Sequence, residues 1–313
     1  MVSPILVPLD GSRLAEQALP CAVMLGKGLS AELVLLRAVS METDADEALK
    51  DIGLEIERLM DQAEAEAEGY LENVAAQIRE PGSGVSQAVR RGPAAEAIVD
   101  YASQTDVQQI VMATHGYSGI SRWRYGSVAE RVLQSANVPV LLIRAKQGEQ
   151  SDRQETRSCQ RILVPLDGSQ MAEQVLPATA EVARAVGAEM VLLQVVTLQV
   201  YGSSEAMWYP GPDGWVEAIT QVAVTYLDQV ADSLRERGVG VTIATETGPV
   251  AETIIRFAEA NLIDLVAMCT HGRTGLVRWA LGSVADRVLR GGSTPVLLVR
   301  ARPSHATADS SRI

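Results

Sequence analysis

Two groups of residues have the types and spacing for chemistry, and each group occurs twice. Asp10-Gly11-Ser12 recurs as Asp167-Gly168-Ser169, and Thr114-His115-Gly116 recurs 156 positions later as Thr270-His271-Gly272. After Gly116 and Gly272, nine residues intervene before a Gly-Ser pair, Gly126-Ser127 or Gly282-Ser283, that opens a run with helical periodicity. Glycine followed by a helix start is a ready anion site: unpaired N–H groups and the positive end of the helix dipole meet there, and glycine lets a phosphate approach. The same letters also spell a capping box, in which Ser127 caps the helix and Glu130 reaches back. Asp10 and Asp167 invite a ligand role, yet Asp-Gly is also a common turn in which the carboxylate bonds nearby N–H groups.

The histidines His115 and His271 tempt a catalytic assignment, since imidazole titrates near neutrality. No nucleophile or orienting group stands near them in sequence, so a structural or ligand-contacting role is expected. Arg122 and Arg278 recur within the loop and have the bidentate geometry for phosphate oxygens. Trp123 and Trp279 beside them read as hydrophobic pins. Arg124 and Arg273 lack counterparts and so belong to no shared mechanism.

These residues need a scaffold, and the apolar pattern supplies one. Strand-like runs at 4–9, 32–39, 84–91, 108–113 and 138–144 alternate with helical patterns at about 13–28, 52–79, 93–103 and 127–136. Near-continuous Val/Ile/Leu strands alternating with helices imply a parallel sheet covered on both faces. Right-handed crossovers then favour a doubly wound five-stranded sheet ordered 3-2-1-4-5, flanked by four helices. In that order, strands 1 and 4 flank the reversal of chain direction, where such folds bind ligands. Both motifs follow those strands. Since Ile162-Leu-Val-Pro-Leu-Asp-Gly-Ser169 repeats Ile5-Leu-Val-Pro-Leu-Asp-Gly-Ser12, the chain is expected to be two tandem α/β domains, 1–146 and 161–302, with a polar linker at 147–160 and a flexible tail at 303–313.

Composition narrows the function. Of the 313 residues 47% are apolar and 21% charged, ordinary for a soluble globular protein, and three cysteines without ligand spacing argue against disulfides and zinc. A net charge of −12 repels phosphate backbones, so a nucleic-acid partner is not expected. Neither a signal peptide nor a membrane-length apolar run is visible, which points to the cytoplasm and to no membrane partner. The acidic stretch from Glu42 to Glu72 reads as a solvated helix face rather than a cation site. Tyr201 to Trp215, rich in aromatics, glycine and proline, reads as a loop that either packs on its own domain, covers the second pocket or meets a partner.

A Val-Pro-x-Asp-Gly-Ser strand end followed by a Gly-x2-Gly-x9-Gly-Ser segment resembles the universal stress protein family, here as a tandem. The resemblance implies an adenine-nucleotide-binding α/β fold, with ATP, accompanied in some settings by Mg2+, held by Asp10, Ala113, His115, Gly116, Arg122, Gly126, Ser127 and Val128. In the second domain the corresponding residues are Asp167, Cys269, His271, Gly272, Arg278, Gly282, Ser283 and Val284. It also implies that the two domains pair as a pseudo-dimer through their fifth strands, and it leaves room for a homodimer. One departure matters: Ala113 and Cys269 stand where the family's ATP-binding pattern has its first glycine, so the first domain, with the smaller intrusion, is the better candidate. Without a Gly-x4-Gly-Lys-Ser/Thr loop, efficient catalysis is not expected, although slow incidental hydrolysis is compatible with the residues. A nucleotide-independent interaction module is the alternative, and an adenylating or pyrophosphatase-type enzyme a third.

Overall fold

A computed structural model describes residues 3–40, 53–79, 84–114, 125–145, 158–197, 215–270 and 281–301. The chain divides into two compact units, Met1–Ser158 and Cys159–Ile313.

The first unit runs β1 (Ile5–Pro8), α1 (Arg13–Glu16), α2 (Leu19–Leu29), β2 (Leu33–Val39), α3 (Gly53–Ile78), β3 (Val85–Arg91), α4 (Ala94–Gln104), β4 (Gln109–Ala113), α5 (Ser127–Ser135) and β5 (Val140–Ile143). The second repeats it as β6 (Arg161–Pro165), α6 (Gln170–Glu173), α7 (Leu176–Val186), β7 (Glu189–Val196), α8 (Trp215–Arg235), β8 (Val241–Thr247), α9 (Val250–Ala260), β9 (Leu265–Cys269), α10 (Ser283–Gly291) and β10 (Val296–Val299). Within the units the strands lie β3-β2-β1-β4-β5 and β8-β7-β6-β9-β10, every pair parallel. This is the doubly wound order expected.

The central strands are apolar at consecutive positions because helices cover both faces. Ile5, Leu6 and Val7, like Ile162, Leu163 and Val164, are wholly buried. Right-handed crossovers put α1, α2 and α3 on one face and α4 and α5 on the other. Among the described residues, no helix is long and apolar enough to cross a membrane.

One expected element divides. The helical region near 13–28 breaks into α1 and α2 at Gln17-Ala18, because Pro20 has no N–H to give the carbonyl of Glu16 and its ring would crowd that carbonyl. The ring instead sits in the first turn of α2, where no donor is needed. Pro177 divides the second copy in the same way.

The part of the acidic run described on α3 is a solvent-exposed face, and three of its carboxylates are drawn to one cation. Glu57, Asp61 and Glu64 converge on the guanidinium of Arg91, at 2.6, 2.7 and 2.5 Å. The hydrogen bond from Arg91, with its charge, holds the Glu64 carboxyl below its ordinary pKa. The second domain has Thr247 at the matching position. Because Glu64 is more acidic in the folded state, its contribution is present above the unfolded carboxyl pKa and is lost as pH falls. Arg91→Ala is therefore expected to lower Tm slightly at neutral pH, with the difference shrinking below about pH 4 and in molar salt. Thermal unfolding of both proteins across pH and ionic strength checks this; a pH-independent difference would contradict it.

A second local feature is testable. Leu262, 82% exposed, follows α9 with φ +51°, a conformation that costs a side-chain-bearing residue. Glycine is at ease there. Leu262→Gly is expected to stabilise the protein by up to about 1 kcal/mol, read as a raised Tm, and a lowered Tm would refute the account.

Candidate functional site

The crevice begins with the turn after β1. Gly11 has φ +87° and Gly168 φ +80°, so these positions favour glycine. Asp10 Oδ1 accepts from the Ser12 N–H at 2.9 Å, and Asp167 Oδ1 accepts from the Ser169 N–H at 3.0 Å and the Ser169 hydroxyl at 2.6 Å. Ser12 and Ser169 in turn accept from the Ala15 and Ala172 N–H groups, capping α1 and α6. Both aspartates thus hold the turn, as the plainer reading of Asp-Gly expected.

The other wall comes from β4 and β9. Ala113 and Cys269 are the last strand residues, buried and paired with Ile143 and Val299. Neither has a positive φ, so neither replacement of a glycine strains the backbone, and only side-chain volume distinguishes the two domains here.

Next in each chain comes a threonine whose role the sequence did not disclose. Thr114 N–H donates to Ile143 C=O at 2.9 Å, its carbonyl accepts from the Gly126 N–H at 2.7 Å, and its hydroxyl accepts from the Ala145 N–H at 3.4 Å. Thr270 repeats all three with Val299, Gly282 and Ala301, at 2.9, 2.7 and 3.3 Å. A main-chain bond therefore closes the base of each loop. The signal was present, since a threonine follows strand 4 in both copies.

This closure changes the helix start. Gly126, not Ser127, is the N-cap of α5, and Gly282 that of α10; neither helix has a side-chain cap. The capping box read from Ser127 and Glu130 does not form, because the Thr114–Gly126 bond places Gly126 at the cap and draws Ser127 into the first turn. Gly126 has φ −62° and ψ 155°, which any residue adopts, so conformation does not require glycine there. Having no Cβ, Gly126 itself puts no side chain before the N–H groups of α5, which lack a side-chain cap. Ser127 and Val128, and Ser283 and Val284, are the first residues of those helices.

Since β1 and β4 are parallel neighbours, Asp10, Ala113 and Gly126 lie at one edge of the first sheet; Asp167, Cys269 and Gly282 do so in the second. α4, also without a side-chain cap, begins at the far edge beyond β3. His115, Gly116, Arg122, Trp123, Arg124, His271, Gly272, Arg273, Arg278 and Trp279 fall outside the described residues, as do Tyr201 to Gly214.

A further pair recurs in each domain. Tyr70 donates its hydroxyl hydrogen to the buried Glu16 at 2.9 Å, and Tyr226 does the same to Glu173 at 2.9 Å. These four residues match at repeat spacing, but no familiar motif marks them.

A profile of the universal stress protein family matches residues 1–144 and 159–300. The chain belongs to the universal stress protein family. It is 31% identical over 143 residues to the universal stress protein MJ0531 of Methanocaldococcus jannaschii, covering 45% of this chain and 81% of that one. It is 32% identical over 148 residues to the universal stress protein YxiE of Bacillus subtilis, covering 46% of this chain and all of that one. The crystal structure of a universal stress protein from Archaeoglobus fulgidus aligns over 97% of this chain and 98% of its own with a TM-score of 0.65 at 20% identity, a likeness of fold.

The Cys269 thiol is a distinctive group of the second universal stress protein domain. Burial pushes its pKa up to about 12; the Val175 N–H works against this, and the nearby Asp167 carboxylate adds to it. At neutral pH the thiol stays protonated, and thiolate is the nucleophile. Cys21, Cys159 and Cys269 are all buried. Native protein is accordingly expected to react with a disulfide reagent far more slowly than denatured protein, and rapid labelling of Cys269 at neutral pH would overturn this.

Proposed function

We propose that this universal stress protein is a cytoplasmic, stress-related regulatory protein that binds ATP with Mg2+ in the crevice between strands 1 and 4 of its domains, without efficient catalysis. The observation that carries the reading is the uncapped start of α5, set behind Gly126 and beside the Asp10 turn. Backbone N–H groups and the helix dipole receive the phosphates there. Adenosine lies toward Asp10 and Ala113, with His115, Gly116 and Arg122 closing the loop side and Ser127 and Val128 contributing N–H groups. In the second domain Asp167, His271, Gly272, Arg278, Gly282, Ser283 and Val284 take the same parts.

Occupancy favours the first domain. Ala113 presents a methyl group to the crevice where Cys269 presents a thiol held close to the Asp167 carboxylate. An added sulfur next to that carboxylate narrows the floor on which a nucleoside would lie.

Denaturing the purified protein after incubation with Mg-ATP, and counting the adenine nucleotide released, tests the reading. About one equivalent is expected, rising toward two in Cys269→Ala. Gly126→Val keeps an allowed backbone conformation while filling the phosphate space, so it should weaken ATP binding at least tenfold, about 1.4 kcal/mol. Release of no nucleotide, or unchanged affinity in Gly126→Val, would refute the proposal.

A further inference from the structure

The two domains differ at the outer edges of their sheets. In a parallel ladder, successive residues send their backbone groups alternately to one neighbour and the other. Met190 N–H donates to Gly240 C=O and Gly248 N–H to Val196 C=O, so the even-numbered residues of β8 serve β7. Val241, Ile243, Thr245 and Thr247 therefore turn their backbone groups outward. The bonds from Leu33 to Gly84 and from Gly92 to Val39 set the same parity in β3, with Val85, Gln87, Val89 and Arg91 outward.

On β3 arginines occupy that edge. Arg79 donates to the Val85 carbonyl at 3.4 Å, and Arg90 donates to the Val89 carbonyl at 2.9 Å while its guanidinium stacks over Tyr101 at 4.9 Å. On β8 only the first device persists, with Arg235 donating to the Val241 carbonyl at 2.9 Å. Glu246 stands where the first domain has Arg90, and a carboxylate has no proton to donate to a carbonyl. Among the described residues, no group bonds the outward amides and carbonyls of Ile243, Thr245 and Thr247. Every side chain from Thr242 to Thr247 is at least partly exposed. An uncapped run of β-branched residues at a sheet edge is a template for another strand.

We propose that this edge pairs with β8 of a second copy of the chain, antiparallel about a two-fold axis through Ala244. Outward residues must oppose outward residues, which places Ile243 opposite Thr245 of the second copy and the reverse. Glu246 then faces Thr242, and no like charges meet. Sliding the axis to Glu246 would set the two carboxylates against each other, so charge selects the Ala244 register. At the axis the two alanines form the close, non-hydrogen-bonded pair, with Cα atoms about 4.5 Å apart and side chains small enough to allow it. Because a two-fold axis relates the two strands, the contact is self-complementary and uses up this edge of both copies, so it closes as a dimer instead of growing into a filament. The inference is independent of nucleotide binding.

Analytical ultracentrifugation of the full chain is expected to show a dimer that Thr245→Pro converts to a folded monomer. The Thr245 N–H points away from β7, so proline removes only the outward donor. Val89→Pro, the equivalent change on β3, should leave the dimer intact. Ala244→Cys keeps the fold regardless and should form an intermolecular disulfide on mild oxidation, whereas Thr242→Cys alone should not, since its opposite residue is Glu246. A monomeric chain at high micromolar concentration, a dimer that survives Thr245→Pro, or equal cross-linking through positions 242 and 244 would overturn the proposal.

Discussion

Each domain depends on one main-chain hydrogen bond, from the amide of Gly126 to the carbonyl of Thr114 and from Gly282 to Thr270. It closes a long loop at its base and fixes the residue at which the following helix begins. A bond of this kind contributes about 1 kcal/mol net, which is small beside the core. Its geometric consequence is larger. By taking the cap position for a glycine, it brings serine into the first turn and leaves the helix start without a side-chain oxygen. The threonine hydroxyl then ties the same point to the end of the fifth strand, so the open helix start, the end of strand 4 and the end of strand 5 are held as one corner.

Most of the scaffold was legible in the sequence because its causes are periodic. Apolar runs of strand length, separated by helical patterns, placed the described strands and most helix ends to within a few residues. The break at Gln17-Ala18 was legible too, in Pro20, but a continuous apolar pattern concealed it. The helix start at Ser127 was placed correctly, but its cap was misread for a different reason. Ser-x-x-Glu carries a local signal, and the competing bond comes from a residue on another strand, which local patterns do not contain. The arginine caps on the edge carbonyls and the Tyr70–Glu16 bond were hidden likewise. Tyr70 and Glu16 are distant in sequence, and the arginines reach nearby backbone carbonyls that no side-chain pattern marks; recurrence at repeat spacing, as Arg235 with Val241 and Tyr226 with Glu173, shows that these are built features.

Comparing the copies separates what the fold requires from what it tolerates. Features set by the backbone are kept: the left-handed glycines Gly11 and Gly168, the turn aspartates, the threonine corner and the glycine caps. Side chains that face the crevice or the sheet edge diverge. Arg37 lies over the Tyr70 ring at 5.1 Å, and its counterpart Gln194 has a buried amide oxygen with no hydrogen-bond partner among the described residues. Ala113 becomes Cys269, Arg90 becomes Glu246 and Arg91 becomes Thr247.

The pattern of divergence follows from which bonds depend on side chains. A main-chain bond such as Thr114 to Gly126 survives replacement of either neighbour's side chain, so the corner can persist while the residues around it change. An ion pair or an edge cap disappears with a single substitution and leaves the strand beneath it intact. Duplication therefore frees the crevice floor and the outer edge before it frees the corner. In this chain the two copies differ at both places: Cys269 ends β9 where Ala113 ends β4, and Glu246 and Thr247 stand on β8 where Arg90 and Arg91 stand on β3. Neither difference touches the main-chain bonds of the corner, which are the same in both domains.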